Sequence, residues 1–274
     1  MKDRIIYGAI LMALLLVCVF LSPITRVLFF AAAGCLCAWE YSKQMEKLNM
    51  ACSLYVLILY LLLQAGLVLL DAGTSAYAAL FIGAVYLAML SGILRKRVSG
   101  NGAIDTVAGL AYPCLLFGAI MAISVSDIWL ETLTIACLAT WSCDNGAFMG
   151  GSHYGKHKLA PAISPNKTVE GALIGAAATI PVAVLIYYLG VWCTDTPWLG
   201  GLYTPVPLWI CVVTALIAST TGQIGDLAES LIKRMIGVKD FSNLIPGHGG
   251  MFDRADSLLF SIPTSYFCLR LAGL

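Results

Sequence analysis

The chain has 274 residues and a formal net charge of +1; 60% of its residues are apolar and 11% are charged. Soluble domains average about 45–50% apolar and about 25% charged residues, so this composition excludes a water-soluble globule and a disordered chain. The near-zero net charge provides no global field for polyanions, which excludes a nucleic-acid-binding protein and predicts no nucleic-acid partner.

Nine apolar stretches are long enough to cross a bilayer, which requires about 20 helical residues. Their patterns are not those of barrel strands, so the predicted fold class is an all-α integral membrane protein with about nine transmembrane helices. The chain is predicted to form a single polytopic membrane domain over 1–274, with N-terminal spans over 1–143 and a catalytic half over 144–274. In chain order, the predicted spans are Ile5–Leu21, Ile24–Trp39, Ala51–Leu70, Thr74–Leu94, Ala103–Ile123, Ile128–Cys143, Gly171–Trp192, Val206–Gly225 and Ala255–Leu271.

The basic residues predict the orientation of these spans. Fourteen of the 16 Lys and Arg residues lie in the N-terminal segment and in alternate loops, and only Arg26 and Arg270 lie on the other side. Cytoplasmic loops of membrane proteins carry the excess of Lys and Arg. The N-terminus is therefore predicted to be cytoplasmic and the C-terminus non-cytoplasmic, in a multi-pass protein of the inner (plasma) membrane.

Charge concentrates in two segments that this orientation places in the cytoplasm. Residues 144–170 and 226–256 contain 14 of the 31 charged residues and all three histidines. Ordinary hydration of loops would explain the enrichment alone, but the spacing of the charges points to a site.

A polar stripe is predicted on the eighth span. Five polar residues fall at helical spacing on one face, namely Gln223, Asp226, Glu229, Ser230 and Lys233. A helix from Val206 to Ile236 would be about 46 Å long, so the stripe should emerge at the cytoplasmic interface. An unpaired carboxylate there is costly, so we expect Lys, Arg or a metal ion to neutralise Asp226. The alternative is a solvated amphipathic end on which Asp226 and Lys233 share a face.

A glycine-rich loop precedes the last span. Three glycines flank His248, and backbone N–H groups in such a loop can cradle phosphate oxygens. Asp253 and Asp256 are three residues apart, so both can face the same point. Helix capping explains one aspartate, but it does not explain this histidine, Arg254 and both aspartates together.

The earlier charged segment begins with Asp144-Asn145-Gly146, which by itself predicts a helix end with a turn. Further on, Ser164 as N-cap and Pro165 at the first helical position predict the start of the seventh span. Lys167 would then oppose the helix dipole in the first turn. A bound anion such as phosphate would resolve that conflict, and a solvated lysine is the alternative.

The charges of both segments suggest one chemistry. The carboxylates Asp144, Asp226, Asp253 and Asp256 offer the hard oxygen ligands that suit Mg²⁺, which usually works with substrate phosphates. Basic groups would hold the remaining phosphate charge; the candidates are Lys156, Lys167, Lys233, Arg234, Lys239 and Arg254. The residues alone therefore predict phosphoryl or nucleotidyl transfer at the membrane surface.

The same segments resemble the signature of phosphatidate cytidylyltransferases (CDP-diacylglycerol synthases). The resemblance rests on the run Ser230-x2-Lys233-Arg234-x4-Lys239-Asp240-x4-Ile245-Pro246-x-His248-Gly249-Gly250-x2-Asp253-Arg254-x-Asp256. Two further stretches are similar to that family, Asp144-Asn145-Gly146-Ala147 and Ser164-Pro165-Asn166-Lys167-Thr168-x-Glu170-Gly171. The matches cover the C-terminal half. Ala255 departs from the family, which usually has a larger apolar residue or Thr there.

The resemblance implies a nucleotidyltransferase of phospholipid biosynthesis that converts CTP and phosphatidic acid to CDP-diacylglycerol and pyrophosphate. It also implies a nine-helix homodimer in the lipid bilayer that uses Mg²⁺, with K⁺ as a candidate second cation. The family's metal site is associated with the positions of Asp226 and Asp253, and Asp256 is a further predicted ligand.

Roles in this reaction are assigned to the residues of both segments. The predicted catalytic residues are Asp226, Asp253, Lys239, His248 and Arg254. The predicted substrate-binding residues are Asp144, Lys156, Ser164, Lys167, Ser230, Lys233, Arg234 and Asp240. His248 is expected to contact a phosphate or the leaving group, or to have a structural role in its loop.

Two other functions are compatible with the pattern. A CTP-dependent lipid-alcohol kinase would use a similar surface and transfer the γ-phosphate. A secondary transporter would use Asp226 as a coupling-ion site, although transporters place such charges near the midplane in broken helices.

Overall fold

A computed structural model describes residues 13, 16–95, 101–196, 203–244 and 249–274. Most of the first predicted span, Ile5–Leu21, therefore lies outside the described residues, although residues 16–21 are helical. The predicted catalytic residue His248 also lies outside them.

The described part of the chain consists of helices joined by loops, with one short hairpin. The helices before the hairpin are α1 (Pro23–Lys47), α2 (Leu54–Leu69), α3 (Thr74–Leu94), α4 (Ala103–Gly109), a π-helical turn (Leu110–Cys114), α5 (Leu115–Ile123) and α6 (Trp129–Tyr154). The hairpin consists of β1 (Lys158–Ala160) and β2 (Ser164–Thr168), which pair antiparallel. The chain then continues through α7 (Val169–Asp195), α8 (Leu208–Ile236) and α9 (Phe252–Leu271).

Five helical segments among the described residues are long and apolar enough to cross a membrane. They are Pro23–Lys47, Thr74–Leu94, Ala103–Ile123, Val169–Asp195 and Leu208–Ile236. The prediction of an all-α membrane protein is confirmed at this level. The count of nine spans and the orientation of the termini stay predictions.

The chain divides into two compact units, each with its own packing. Unit 1 comprises the described residues of Met1–Val125 and Met235–Ala255, and unit 2 those of Ser126–Arg234 and Asp256–Leu274. The single-domain prediction, with its division after residue 143, stays a prediction. In unit 1, the buried Arg26 side chain donates to the carbonyl oxygens of Ser124 (2.7 Å) and Val19 (3.0 Å).

Helices α6 and α7 pack closely in unit 2 because glycines line their interface. A Cβ atom at Gly175 would lie 2.6 Å from the carbonyl oxygen of Cys143, and one at Gly171 would lie 2.8 Å from that of Ala147. Gly171 and Gly175, four residues apart, therefore form a close-packing motif between the two helices. A side chain at either position would push the helices apart.

The predicted helix end at Asp144-Asn145-Gly146 is wrong, because α6 continues to Tyr154. Gly146 and Gly150 face α7, where added Cβ atoms would each lie 2.7 Å from side-chain atoms of Ala178 and Ile174, respectively. Packing against α7 thus outweighs the low helix propensity of Asn and Gly. The extension carries Asp144 on a helix instead of in a loop.

The predicted helix start at Ser164 and Pro165 is also wrong, because both residues lie in β2. Helix α7 begins at Val169, and the hydroxyl of Thr168 caps it by accepting a hydrogen bond from the N–H of Gly171 at 3.1 Å. Pro165 has no N–H group to donate, which a two-stranded sheet tolerates at its edges. Lys167 consequently lies in a strand and not in the first turn of a helix.

Candidate active site

Asp226 and Lys167 form an ion pair in unit 2. The ammonium group of Lys167, on β2, donates to Oδ2 of Asp226, on α8. The hydroxyl of Ser230, one turn further along α8, lies 3.4 Å from Oδ1 of the same carboxylate. The sequence predicted that a cation neutralises Asp226, and Lys167 is such a cation.

Glu229 and Lys233 form a second ion pair on the same helix, one turn apart. The Glu229 side chain is 0% exposed and that of Lys233 is 13% exposed. The alternative prediction was a solvated helix end on which Asp226 and Lys233 share a face. In the structure, Lys233 instead pairs with a buried glutamate. Glu229 lies on the predicted polar face, but no function was predicted for it. Its helical spacing from Asp226 and Lys233 is enough to identify it as a candidate site residue.

Three carboxylates converge where α8 and α9 approach each other in unit 2. One oxygen atom from each of Asp226, Glu229 and Asp256 lies within 4.8 Å of the others. Gly225 permits this approach, because a Cβ atom there would lie 2.5 Å from the carbonyl oxygen of Asp256. We refer to Asp226, Glu229 and Asp256 as the carboxylate cluster.

A cavity of about 470 Å³ opens beside the cluster. Its lining combines polar side chains with apolar ones; the polar ones include Asp144, Asn166, Lys167, Gln223 and Asp226, and the apolar ones Ala147, Phe148, Leu159 and Ala172. Such a mixed lining suits a ligand that has both charged and apolar parts. The structure therefore brings together the predicted residues Asp144, Lys167 and Asp226 at one cavity.

The β1–β2 hairpin is held at its base by Glu170. Oε2 of Glu170 accepts hydrogen bonds from the backbone N–H groups of Lys156 (3.0 Å) and His157 (3.1 Å), and Oε1 lies 2.5 Å from Nδ1 of His157. At the turn of the hairpin, Nε of Arg234 donates to the carbonyl oxygen of Ile163 at 3.0 Å. These bonds fix the hairpin that presents Lys167.

Two predicted substrate-binding residues of the hairpin region lie apart from the cavity lining. The side chain of Lys156 is exposed and that of Ser164 is half-buried. Neither belongs to the cavity lining among the described residues of unit 2. Their predicted roles stay predictions.

Replacing Glu170 with Gln should loosen the hairpin. The glutamine side chain lacks the negative charge of the carboxylate that accepts hydrogen bonds from both N–H groups. We therefore expect the backbone amides of residues 156–168 to exchange with deuterium about 3-fold to 10-fold faster, as for the loss of a charge-assisted hydrogen bond. Hydrogen-exchange mass spectrometry of the purified protein measures this. Unchanged exchange in the hairpin would show that strand pairing alone holds it.

The remaining predicted residues of the second charged segment lie in unit 1. Lys239, Asp240 and Arg254 are exposed. Oδ2 of Asp253 accepts the N–H groups of Gly250 (2.8 Å) and Phe241 (3.0 Å). Carboxylates that bind metals are themselves commonly hydrogen-bonded, so these bonds are compatible with the prediction that Asp253 is a ligand, which stays a prediction.

A family model described as the cytidylyltransferase family matches residues 2–272. The chain belongs to the cytidylyltransferase family. This cytidylyltransferase is 32% identical over 280 residues to the phosphatidate cytidylyltransferase of Bacillus subtilis (strain 168), covering 99% of this chain and 98% of that protein. It is 40% identical over 136 residues to the phosphatidate cytidylyltransferase of Staphylococcus saprophyticus, covering 49% of this chain and 47% of that one. The phosphatidate cytidylyltransferase of Staphylococcus aureus (strain COL) is 40% identical over 134 residues, with the same coverage.

At the site of this cytidylyltransferase, the negative charges of the carboxylates outnumber the positive charges of the lysines paired with them. The carboxylate cluster and Asp144 contribute four negative charges when all are ionised, and the lysines paired with Asp226 and Glu229 contribute two positive charges. Carboxylates this close repel each other unless a cation or a proton neutralises them. The excess of two negative charges equals the charge of one divalent cation. Carboxylates also offer the oxygen donors that Mg²⁺ prefers.

Proposed function

We propose that this cytidylyltransferase transfers the cytidylyl group of CTP to phosphatidic acid in the membrane, forming CDP-diacylglycerol and pyrophosphate in phospholipid biosynthesis. The similarity to the Bacillus subtilis enzyme along nearly the whole of both chains supports this substrate pair. The observation that carries the proposal is the carboxylate cluster with its two paired lysines. Asp226, Glu229 and Lys233 lie on α8, an apolar helix of 29 residues, while α9 contributes Asp256 and β2 contributes Lys167.

The reaction needs positioning more than activation of a nucleophile. A phosphate oxygen of phosphatidic acid attacks the α-phosphorus of CTP, and the bond from that phosphorus to the bridging oxygen of pyrophosphate breaks. Because the attacking oxygen is already anionic at pH 7, no general base is required. Catalysis in such transfers comes mainly from alignment and from stabilising the phosphate charge.

The basic residues supply part of that charge stabilisation. Lys167 projects into the cavity of unit 2 and is proposed to bind phosphate oxygens when substrates enter. Lys239 and Arg254 are exposed in unit 1 and are proposed to bind phosphates of CTP or of the lipid. His248 is proposed to contact a phosphate or the leaving group.

We propose Mg²⁺ as the cofactor, with K⁺ as a candidate second cation. Asp226, Glu229 and Asp256 would hold the divalent ion, and their oxygens within 4.8 Å of one another fit this use. Carboxylate oxygens are the hard donors that Mg²⁺ prefers. When bound, the ion would neutralise phosphate charge on the two mutually repelling substrates.

The proposed topology has nine spans, a cytoplasmic N-terminus and an active site that faces the cytoplasm, in a homodimer. Helix α8 supports the position of the site. Its 29 residues measure about 43 Å, which exceeds a hydrocarbon core of about 30 Å. Its charged residues are confined to the C-terminal end, from Asp226 to Arg234, which should therefore emerge from the membrane.

Labelled CTP tests the reaction directly. Membranes containing the protein should incorporate label from α-³²P-CTP into a lipid product when phosphatidic acid is supplied, and none from γ-³²P-CTP. Lipid label from the γ position would instead identify a lipid kinase. Absence of both, together with ion-coupled uptake of a solute, would identify a transporter.

Reporter fusions test the topology. Reporters placed after Gly200 and after Leu274 should both report the non-cytoplasmic side. A cytoplasmic C-terminus would contradict the count of nine spans. A fusion after Met50 serves as the control and should report the cytoplasm.

A further inference from the structure

Glu40 is a buried acid on α1, outside both charged segments of the sequence. Its side chain is 1% exposed. Burying a carboxylate is unfavourable unless hydrogen bonds or a cation compensate it. Its hydrogen-bond partners therefore indicate what the residue does.

Three donors from two segments converge on the Glu40 carboxylate. Oε1 accepts the hydroxyl of Ser242 at 2.6 Å and the N–H of Met251 at 2.9 Å, and Oε2 accepts the N–H of Phe252 at 2.8 Å. Ser242 precedes residues 245–248 and Met251 follows them. The carboxylate thus joins described residues that lie on either side of 245–248 in the sequence.

The same contacts cap the last helix. Helix α9 begins at Phe252, and the first N–H groups of a helix lack intrahelical acceptors. Glu40 supplies an acceptor from another helix, with the charge that a helix N-terminus favours. A Cβ atom at Gly250 would lie 2.6 Å from Oε1 of Glu40, so glycine leaves room for the carboxylate.

The hydrogen bonds from Ser242, Met251 and Phe252 to Glu40 form a tether, which neighbouring residues extend to Asp253. Gln44, one turn after Glu40, donates to the carbonyl oxygen of Phe241, while the N–H of Phe241 donates to Asp253. The Phe241 and Phe252 rings are buried and their centroids are 4.6 Å apart. All these groups belong to unit 1.

We propose that Glu40 is a positioning residue for cytidylyl transfer, whose buried carboxylate fixes Ser242, Met251 and Phe252 and thereby the orientation of Asp253 and Arg254. The proposal rests on the proposed function for its effect on catalysis. Its structural part, the tether itself, does not depend on which reaction the protein performs.

The test compares Glu40→Gln with Glu46→Gln, a control in the same helix whose side chain is exposed. We expect Glu40→Gln to lower kcat per folded molecule about 10-fold or more, as for loss of a group that orients a ligand. KM for CTP should change less, because alignment is lost and not ground-state binding. Glu46→Gln should stay within about twofold of the wild-type protein.

Hydrogen exchange gives a second measurement that needs no activity. In Glu40→Gln, amides of 241–244 and 249–253 should exchange faster, while those of α7 remain unchanged. A wild-type protein that made no CDP-diacylglycerol would refute the proposed function, and the exchange data would still decide on the tether. Wild-type kcat with unchanged loop exchange, or faster exchange throughout the protein, would overturn the proposal.

A milder variant covers the case in which Glu40→Gln does not accumulate. Ser242→Ala removes one donor and should lower kcat in the same direction by a smaller factor. If both variants fold, the double variant should be no worse than Glu40→Gln alone, because the two changes break the same contact and are not additive. Fully additive effects would overturn the proposal.

Discussion

Asp226→Asn should reduce CDP-diacylglycerol synthesis by about 10²–10³-fold, the usual cost of removing one electrostatic stabiliser from an active site. The amide keeps the size of the side chain but loses the charge that pairs with Lys167 and that contributes to the carboxylate cluster. The measurement is CTP-dependent lipid product per amount of membrane-inserted protein. The Mg²⁺ concentration for half-maximal activity should rise in any residual activity.

Asp127→Asn is the matched control for that variant. Asp127 also lies in unit 2 and pairs with a basic side chain, Arg270, but it is 71% exposed. A hydrogen bond from Arg270 lowers the pKa of Asp127. Exposed pairs contribute at most about 1 kcal/mol, so activity should persist. Near-normal turnover of well-inserted Asp226→Asn would defeat the assignment of Asp226 to the reacting centre.

The sequence predicted helical structure because an apolar run of about 20 residues favours a membrane-spanning helix. Thr74–Leu94 and Ala103–Ile123 have the same bounds in the sequence prediction and in the structure. Helix ends were harder to predict. Asp144-Asn145-Gly146 has the local chemistry of a helix end, yet glycine packing against α7 continues α6 to Tyr154.

The hairpin could not be predicted from local signals. Ser164 and Pro165 carry good helix-start chemistry, but antiparallel pairing with β1 and capping by Thr168 move the start to Val169. The error also changed the interpretation of Lys167, which was expected to attract an anion at a helix N-terminus. The structure pairs it with Asp226 instead.

In the candidate site too, local sequence pattern predicts some features, whereas others depend on tertiary contacts. Helical spacing correctly placed Asp226, Glu229 and Lys233 on one face, because spacing determines a face. It could not determine partners, which come from other elements: Lys167 from β2 and Asp256 from α9. Glu40 lies about 200 residues from its partners in the chain, so no local pattern could have revealed it.

Lys233→Met should destabilise the protein strongly, because it removes the cation that neutralises the fully buried Glu229. Breaking a buried ion pair from one side costs about 3–5 kcal/mol, which corresponds to a decrease in Tm on the order of 10 °C. Repulsion from Asp226 and Asp256, whose carboxylates lie beside Glu229, adds to the effect. Thermal unfolding in detergent measures it.

The double variant Glu229→Leu with Lys233→Met separates this charge effect from lost packing. Replacing a whole buried ion pair with apolar side chains of similar volume is often neutral or stabilising, so the double variant should recover most of the lost Tm. It should nevertheless remain poorly active, because it lacks one carboxylate of the cluster and a proposed substrate-binding lysine. A double variant as unstable as Lys233→Met would show that the buried pair holds the fold by its shape and hydrogen bonds. Full activity in a stable double variant would remove Glu229 and Lys233 from the site and leave Asp226, Asp256 and Lys167 to carry the chemistry.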